Sequence, residues 1–310
     1  MDSYSAGVGW TDDQWNRVQK AVVEEAQKAR VAASFLPLTG PVDGSTVAIP
    51  NFTLAQQAVP GALAVPGVPP VRFTVDSDPT LFLTTLSTLV YVRGAELADP
   101  EMGAALGMFR RAATAVARLE DGLVFRGRPA ANLPPPLPAP IPIVAVTGNG
   151  ATDGLLPFGV PAAPVGAAIG VAGIPPRAEV LLNAPIGPSI VPGVANAIAA
   201  LEAVGHSGPF ACVLAMDLFT LACSPTGNLV MPRDRVLPFL DGQLYRSSAL
   251  PNGYGLVIAL GGAPIELVVA SDICVKFLHA TEEPRHVFRV SERVALRAKE
   301  LTAVAVLHTT

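Results

Sequence analysis

The side chains that carry most protein chemistry are few in this sequence and poorly spaced for it. Four histidines, His206, His279, His286 and His308, include neither an HxH pair nor an HExxH turn. His279 and His286 could face each other across a hairpin around Glu283, which would still leave zinc short of ligands. Three cysteines, Cys212, Cys223 and Cys274, make neither a CxxC pair nor a disulfide framework, and the apolar runs around Cys212 and Cys223 hold no cation to stabilise a thiolate. No GxSxG elbow presents a serine nucleophile. The glycines Gly148, Gly150 and Gly154 suggest a phosphate loop, but they follow a proline-rich stretch and open no helix that would aim N–H groups at an anion. Asp12 with Asp13 and Glu24 with Glu25 fall on solvated helix positions. The sequence predicts no catalytic residue, no metal ligand set and no cofactor.

Composition narrows the field. Of 310 residues, 50% are hydrophobic and only 15% charged, with 31 prolines and 28 glycines, against about 25% charged in an ordinary soluble domain. Such a chain is too apolar for intrinsic disorder. A compact monomer of 31.9 kDa would expose about 12,000 Å², more than these charges can cover, so burial against other subunits is expected. A net charge of −4 provides no basic face for nucleic acid. Residues 44–71, 129–152, 154–176 and 180–201 carry no charge, yet prolines or glycines interrupt each, whereas a spanning helix must satisfy its own backbone throughout. No membrane partner is expected. The start of the chain lacks a basic stretch leading into an apolar one, so no secretory signal is expected, and the cysteine usage fits a reducing cytoplasm.

The elements that would position any site can be read in order. Thr11 to Gln14 spells a capping box. Behind it, apolar side chains recur at Trp15, Val18, Val22, Ala26, Ala29 and Ala33, with Asp13/Arg17 and Glu24/Lys28 as i,i+4 pairs on the opposite face. That stripe either packs on its own domain or also receives a partner peptide. Residues 37–70, uncharged except for Asp43, read as an extended arm long enough to need a purpose, such as lying across a neighbour. β-Branched runs at 71–75 and 85–92 predict strands. Asp99 and Pro100 read as N-cap and first residue of the strongest helix, in which Met102, Leu106, Phe109, Ala113, Val116, Leu119 and Leu123 recur at spacings of three and four. Gly127 would end it in a left-handed conformation.

Residues 129–176 hold 12 of the 31 prolines and should run as polyproline II or irregular loop, an apolar surface insertion. Beyond Arg177 the pattern predicts a helix at 191–204, a buried strand at 208–215, short helices at 217–223 and 233–240, and strands at 255–260, 265–270, 273–280, 286–298 and 302–307. A strand, a long helix, a mixed middle and a strand-rich end make an α+β chain, not an alternating βαβ one.

Four blocks in succession carry a family resemblance. A tryptophan-containing helix runs into SFLPLTGP at 34–41. Residues 89–127 then read LVYVRGAELADPEMGAALGMFRRAATAVARLEDGLVFRG, closing on Glu120, Asp121, Val124, Phe125 and Gly127. Asp153 to Leu156 follows as a Gly-Leu-Leu turn. PFACVLAMDLFTLAC at 209–223 and the strand-rich stretch from Ser271 onward complete the order. In this succession the chain resembles the encapsulin shell proteins, a nanocompartment family with the fold of the Hong Kong 97 phage major capsid protein. The uncharged arm and the proline-rich insertion depart from the family pattern.

The resemblance implies a Hong Kong 97-type fold with an extended arm (E-loop), a peripheral domain built on a spine helix, and an apical domain. By it, residues 1–36 form the lumen-facing amphipathic helix, 37–92 the arm and its strands, 93–190 the peripheral domain with the insertion at 128–176, 191–260 the apical domain, and 261–310 strands returning to the peripheral domain. It implies a homo-oligomeric icosahedral shell in the cytoplasm, without catalysis of its own, that takes up a cargo enzyme through a short targeting peptide. Trp15, Val18 and Val22 would help form the cargo groove, and Thr226, Gly227 and Asn228 would line a neutral five-fold pore. A phage or prophage capsid protein enclosing DNA is the first alternative, and an enzyme with an unrecognised site the second.

Overall fold

A computed structural model describes residues 8–43, 46–58, 71–76, 80–129, 133–137, 144–149, 151–156, 177–225, 230–283 and 285–309. Its helices are α1 (Asp12–Ala29), α2 (Ala32–Phe35), α3 (Gly94–Leu97), α4 (Gly103–Arg126), α5 (Ile186–Ala203), α6 (Met216–Ala222) and α7 (Pro232–Val236). The strands up to the middle of the chain are β1 (Leu38–Thr39), β2 (Ala48–Ile49), β3 (Thr53–Ala58), β4 (Val71–Asp76), β5 (Leu81–Phe82), β6 (Thr84–Arg93) and β7 (Val144–Thr147). After them come β8 (Ala178–Leu182), β9 (Phe210–Leu214), β10 (Leu244–Arg246), β11 (Tyr254–Ala259), β12 (Ile265–Ala280), β13 (Arg285–Ala298) and β14 (Val304–Thr309).

Two five-stranded sheets organise these elements, in the orders β1-β12-β13-β6-β7 and β10-β9-β11-β14-β8. The first is built on a long hairpin, β12 against β13, with β6 antiparallel along the outer side of β13. Helix α4 packs on β6 and β13, and α1 lies over α4 and β12. The second sheet carries α5 against β8 and β14, with α6 and α7 beside α5. One continuous apolar core joins the two units. The mixed α+β architecture is thus as the sequence pattern predicts.

The spine helix α4 shows why its sequence is so regular. Phe109, Ala113, Val116, Leu119 and Leu123 have almost no exposed surface, as a helix covered on two sides requires. It begins later than expected. Asp99 accepts N–H bonds from Glu101 (3.0 Å) and Gly103 (3.3 Å), so it caps a tight turn, and Met102 takes a left-handed φ of 56° before the helix starts. The other end is as expected, with Gly127 at φ 67°. The chain leaves there, makes the proline-rich excursion and returns across an Arg128–Thr152 bridge. Leu155 and Leu156 then donate N–H bonds to Val124 and Phe125 (2.9 and 2.8 Å), satisfying last-turn carbonyls that the helix leaves open.

The excursion is more than a surface insertion. Pro135 and Leu137 press against the α4 backbone at Gly122, and Val144–Thr147 adds β7 to the edge of the first sheet with Val146 buried. Residues 130–132, 138–143, 150 and 157–176 of this stretch lie outside the described residues.

Other differences have local causes. α5 starts at Ile186, five residues before the expected 191, because Pro188 falls in the first turn, where its missing N–H costs nothing, and Pro192 sits on the exposed side. The strands expected at 265–270 and 273–280 are one strand, β12, whose register against β13 shifts three times; such bulges bend a strand without ending it. β6 belongs to the first sheet and not to the arm, and β14 lies in the second sheet between β11 and β8 instead of returning to the first. β8 places the second unit's start near residue 178.

The arm is a hairpin of β3 and β4 with a firm base. Glu266 accepts from Lys299 (2.9 Å) and Thr39 (3.0 Å) and forms an ion pair with Arg297 (3.0 Å), both cations lie over the Phe52 ring, and Leu54 N–H bonds to the Lys299 carbonyl (2.9 Å). The tip, residues 59–70, lies outside the described residues.

A Cβ on Gly154 would sit inside the backbone of Arg126 and Gly127, whereas one on Gly107, on an open helix position, meets nothing. Gly154→Ala is expected to abolish soluble protein. Gly107→Ala should leave the melting temperature unchanged or raise it, by up to about 1 kcal/mol of helix propensity. Thermal denaturation of the two variants compares them directly.

Candidate functional site

Helix α1 is the element that the sequence singles out for recognition, and its local geometry is well determined. Thr11 and Gln14 form the capping box, Asp12 and Asp13 lie at the N-terminal end of the helix dipole, and Lys28 lies at the C-terminal end. On the solvent side the ion pair is Lys20 with Glu24 (3.9 Å). Arg17, expected to pair with Asp13, instead donates to the carbonyls of Pro100 and Glu101 (3.3 and 3.1 Å).

The apolar stripe faces inward. Val18, Val22 and Ala26 are fully buried. Gln19 reaches β12 where its register breaks, donating to the Ile273 carbonyl (2.9 Å) and accepting from Val275 N–H (3.1 Å). Ahead of the helix, Trp10 stacks on Phe288 (5.0 Å between centroids) and meets Trp15 edge-on (5.1 Å), while its indole N–H donates to the Leu97 carbonyl (3.2 Å). Phe288 also contacts Phe109 (5.2 Å) and Phe277 (5.5 Å), so one ring joins the N-terminal segment, the spine helix and the sheet.

The expected groove residues therefore divide. Val18 and Val22 present no surface to a peptide, because the same side chains that make α1 amphipathic fill the space over α4. Trp15 is half-buried, and its indole N–H has no hydrogen-bond partner. Past α2, Leu38 is exposed on β1, the outermost strand of the first sheet. Thr226, Gly227 and Asn228 lie outside the described residues. Beside them, α7 exposes Arg233, Asp234 and Arg235, and Met216, Leu221, Val230, Met231 and Phe239 form a run of exposed large apolar side chains on the flanking segments.

A charged cluster that the sequence reading did not isolate lies under the end of α1. Arg30 is nine-tenths buried and faces Glu120 of α4 (3.5 Å), Glu292 of β13 (3.5 Å) and the exposed Asp272 of β12 (3.1 Å). Asp121, next to Glu120, accepts N–H bonds from Val31 (2.9 Å) and Ala32 (2.8 Å), capping the short helix α2 from a distance in sequence of about ninety residues. Burial, against the pull of Arg30, raises the Glu120 carboxyl to about 7. Burial also lifts Asp121 to about 7 against its backbone N–H bonds, and burial together with Glu120 raises Glu292 well above its ordinary value. Adjacent Glu and Asp among the apolar residues Leu119, Leu123, Val124 and Phe125 were the available signal.

The candidate chemistry sites stay inert. Cys212 is buried and its thiol is pushed up to about 12, so it makes no nucleophile at neutral pH. His206 is buried against the Thr302 hydroxyl (2.8 Å). His286 pairs with Ala280 across the hairpin, while His279 pairs with Val287, so the two histidines are out of register. Among the described residues no cluster of His, Cys, Asp and Glu could hold a metal ion.

Comparison with known proteins matches this architecture. The family model described as "Encapsulating protein for peroxidase" matches residues 167–295. The type 1 encapsulin shell protein EncA of Myxococcus xanthus is 26% identical over 96% of this chain and 92% of its own length. A diheme-cytochrome-encapsulin shell fusion protein of Kuenenia stuttgartiensis is 24% identical over 98% of this chain and 75% of its own. Along nearly its whole length the chain is similar to encapsulin shell proteins. Its fold is that of the virus-like particle from Pyrococcus furiosus, with TM-score 0.61 and 16% identity over 96% of this chain and 100% of that one. The capsid of the empty GTA particle shares it as well, with TM-score 0.54 and 12% identity over 90% and 89% of the two chains. The encapsulin and Hong Kong 97-type resemblance read from the sequence is thus sound.

Asp121→Ala leaves two backbone N–H groups at the start of α2 without their acceptor, one of them buried. The expected cost is about 1–3 kcal/mol, read as a lowered melting temperature, with Asp121→Asn retaining part of the loss because its amide oxygen still accepts.

Proposed function

We propose that this chain assembles into a closed icosahedral shell in the cytoplasm and encloses a cargo enzyme, without catalysis of its own. The observation that carries the reading is the likeness to encapsulin shell proteins along nearly the whole chain. Surface chemistry supports it. The exposed Met216, Leu221, Val230, Met231 and Phe239 would be unusual on a free monomer and suit a contact repeated between copies. Heterologous contacts of that kind close into rings and shells when the rotation between copies permits.

Within this reading the arm hairpin lies over a neighbour, the α4 unit is the peripheral domain and the α5 unit the apical domain. Thr226, Gly227 and Asn228 are the residues that would line the five-fold pore. Cargo docks through a short peptide at the N-terminal segment, where Trp15 and the β1 edge at Leu38 are the accessible apolar features; an extended peptide adds to such an edge through main-chain hydrogen bonds. Phage capsid proteins share the fold, so a DNA-filled particle is the competing reading.

Particles purified from the native host distinguish the two. A protein-like ratio of absorbance at 260 and 280 nm together with one co-purifying enzyme is expected, and genomic DNA inside would contradict the reading. Trp15→Ala and Leu38→Lys should each reduce the co-purifying enzyme several-fold while particles stay intact. Unchanged loading in both would move the docking site elsewhere.

A further inference from the structure

The buried cluster beneath the end of α1 has one cation for too many carboxylates. Arg30 comes from the end of α1, Glu120 and Asp121 from α4, Asp272 from β12 and Glu292 from β13. Asp272 is open to water, and Asp121 is satisfied by the Val31 and Ala32 N–H groups. That leaves Glu120 and Glu292, both with fully buried side chains, to share one guanidinium. None of their four carboxyl oxygens accepts a hydrogen bond from a fixed donor, although the two carboxyls interact with each other. Two adjacent carboxyls in a dry site hold one proton between them, because both cannot ionise there without uncompensated charge.

We propose that Arg30, Glu120 and Glu292 form a proton-operated latch, which clamps α1 onto the spine helix while the glutamate pair holds its proton and loosens α1 when both ionise. The latch acts on the segment that joins α1 to α2, since Arg30 immediately precedes the Val31 and Ala32 that Asp121 caps. Undocking α1 removes the guanidinium and lets water reach the pair.

The sign follows from linkage. A carboxyl raised in the docked state from its ordinary 4.5 to about 7 keeps a proton that the undocked state releases. Docking is therefore strongest below about pH 4.5 and weakens as pH rises through about 7. This is opposite to an ordinary carboxylate salt bridge, which acid breaks.

Hydrogen–deuterium exchange on assembled full-chain particles between pH 5 and 8, corrected for the intrinsic pH dependence of exchange, reads the latch as the protection factor of α1. Wild-type protection is expected to fall tenfold or more across this range, with β9 and β11 unchanged. Glu292→Gln and Glu120→Gln, which mimic the protonated pair, should each cut the fall in α1 protection several-fold, the remainder belonging to Asp121, whose carboxyl burial also raises. Three results would overturn the latch: flat wild-type protection in α1, an unchanged fall in both variants, or an equal loss in β9 and β11. Particle size by light scattering on the same samples reports separately on the shell, so failure of the latch and failure of the shell reading are distinguishable.

Discussion

Burial of α4 between α1 and the first sheet is the contact on which the rest of the molecule depends. Phe109 and Phe288 meet at its centre, and Trp10 closes the cluster from the N-terminal side. Once that surface is dry, every polar group in it needs an internal partner. Glu120 and Asp121 enter the core on the last turns of α4, and their partners are the junction of α1 with α2 and the Glu292 side chain of β13. The same helix end fixes where the excursion leaves and returns, because the Leu155 and Leu156 N–H groups complete its final turn. One helix thus orders the N-terminal segment, the sheet and the connection toward the second unit.

Much of this arrangement was legible in the residues. The Thr11 capping box, the spacing along α4 and the left-handed Gly127 are local signals, and each has the expected geometry. What was not legible depended on tertiary partners. Arg17 looked like one half of a surface pair, but the turn that Asp99 caps places two carbonyls within its reach. The helix expected from 191 starts at Ile186, because Pro188 fits its first turn. The Glu120–Asp121 pair appeared as part of a motif, and nothing local shows that Arg30 and Glu292 converge on it. Which of the two readings of the α1 stripe applies to each residue depends on the same kind of partner. Val18 and Val22 have the periodicity of a docking face, and the partner they dock against is their own spine helix.

The shortage of charge now has two separable origins. Part of it belongs to the chain's own core: the uncharged stretch at 180–201 holds most of α5, with Ile190, Val194, Ala197 and Leu201 buried. Part remains on the outside. α5 presents Pro188, Pro192, Asn196 and Ala199 to solvent, and the segments around α6 and α7 expose large apolar side chains. Surfaces of this kind are expected of a subunit whose neighbours complete its folding energy, and they fit a chain that meets its neighbours through the arm and the α5 unit.

The central claim is closed self-assembly, and the most direct measurement is the molar mass of the purified chain by light scattering at micromolar concentration, with electron micrographs of the same sample. Closed, uniform particles with the mass of an icosahedral set of 31.9 kDa subunits are the result expected. Monomers or dimers alone at that concentration would contradict the account.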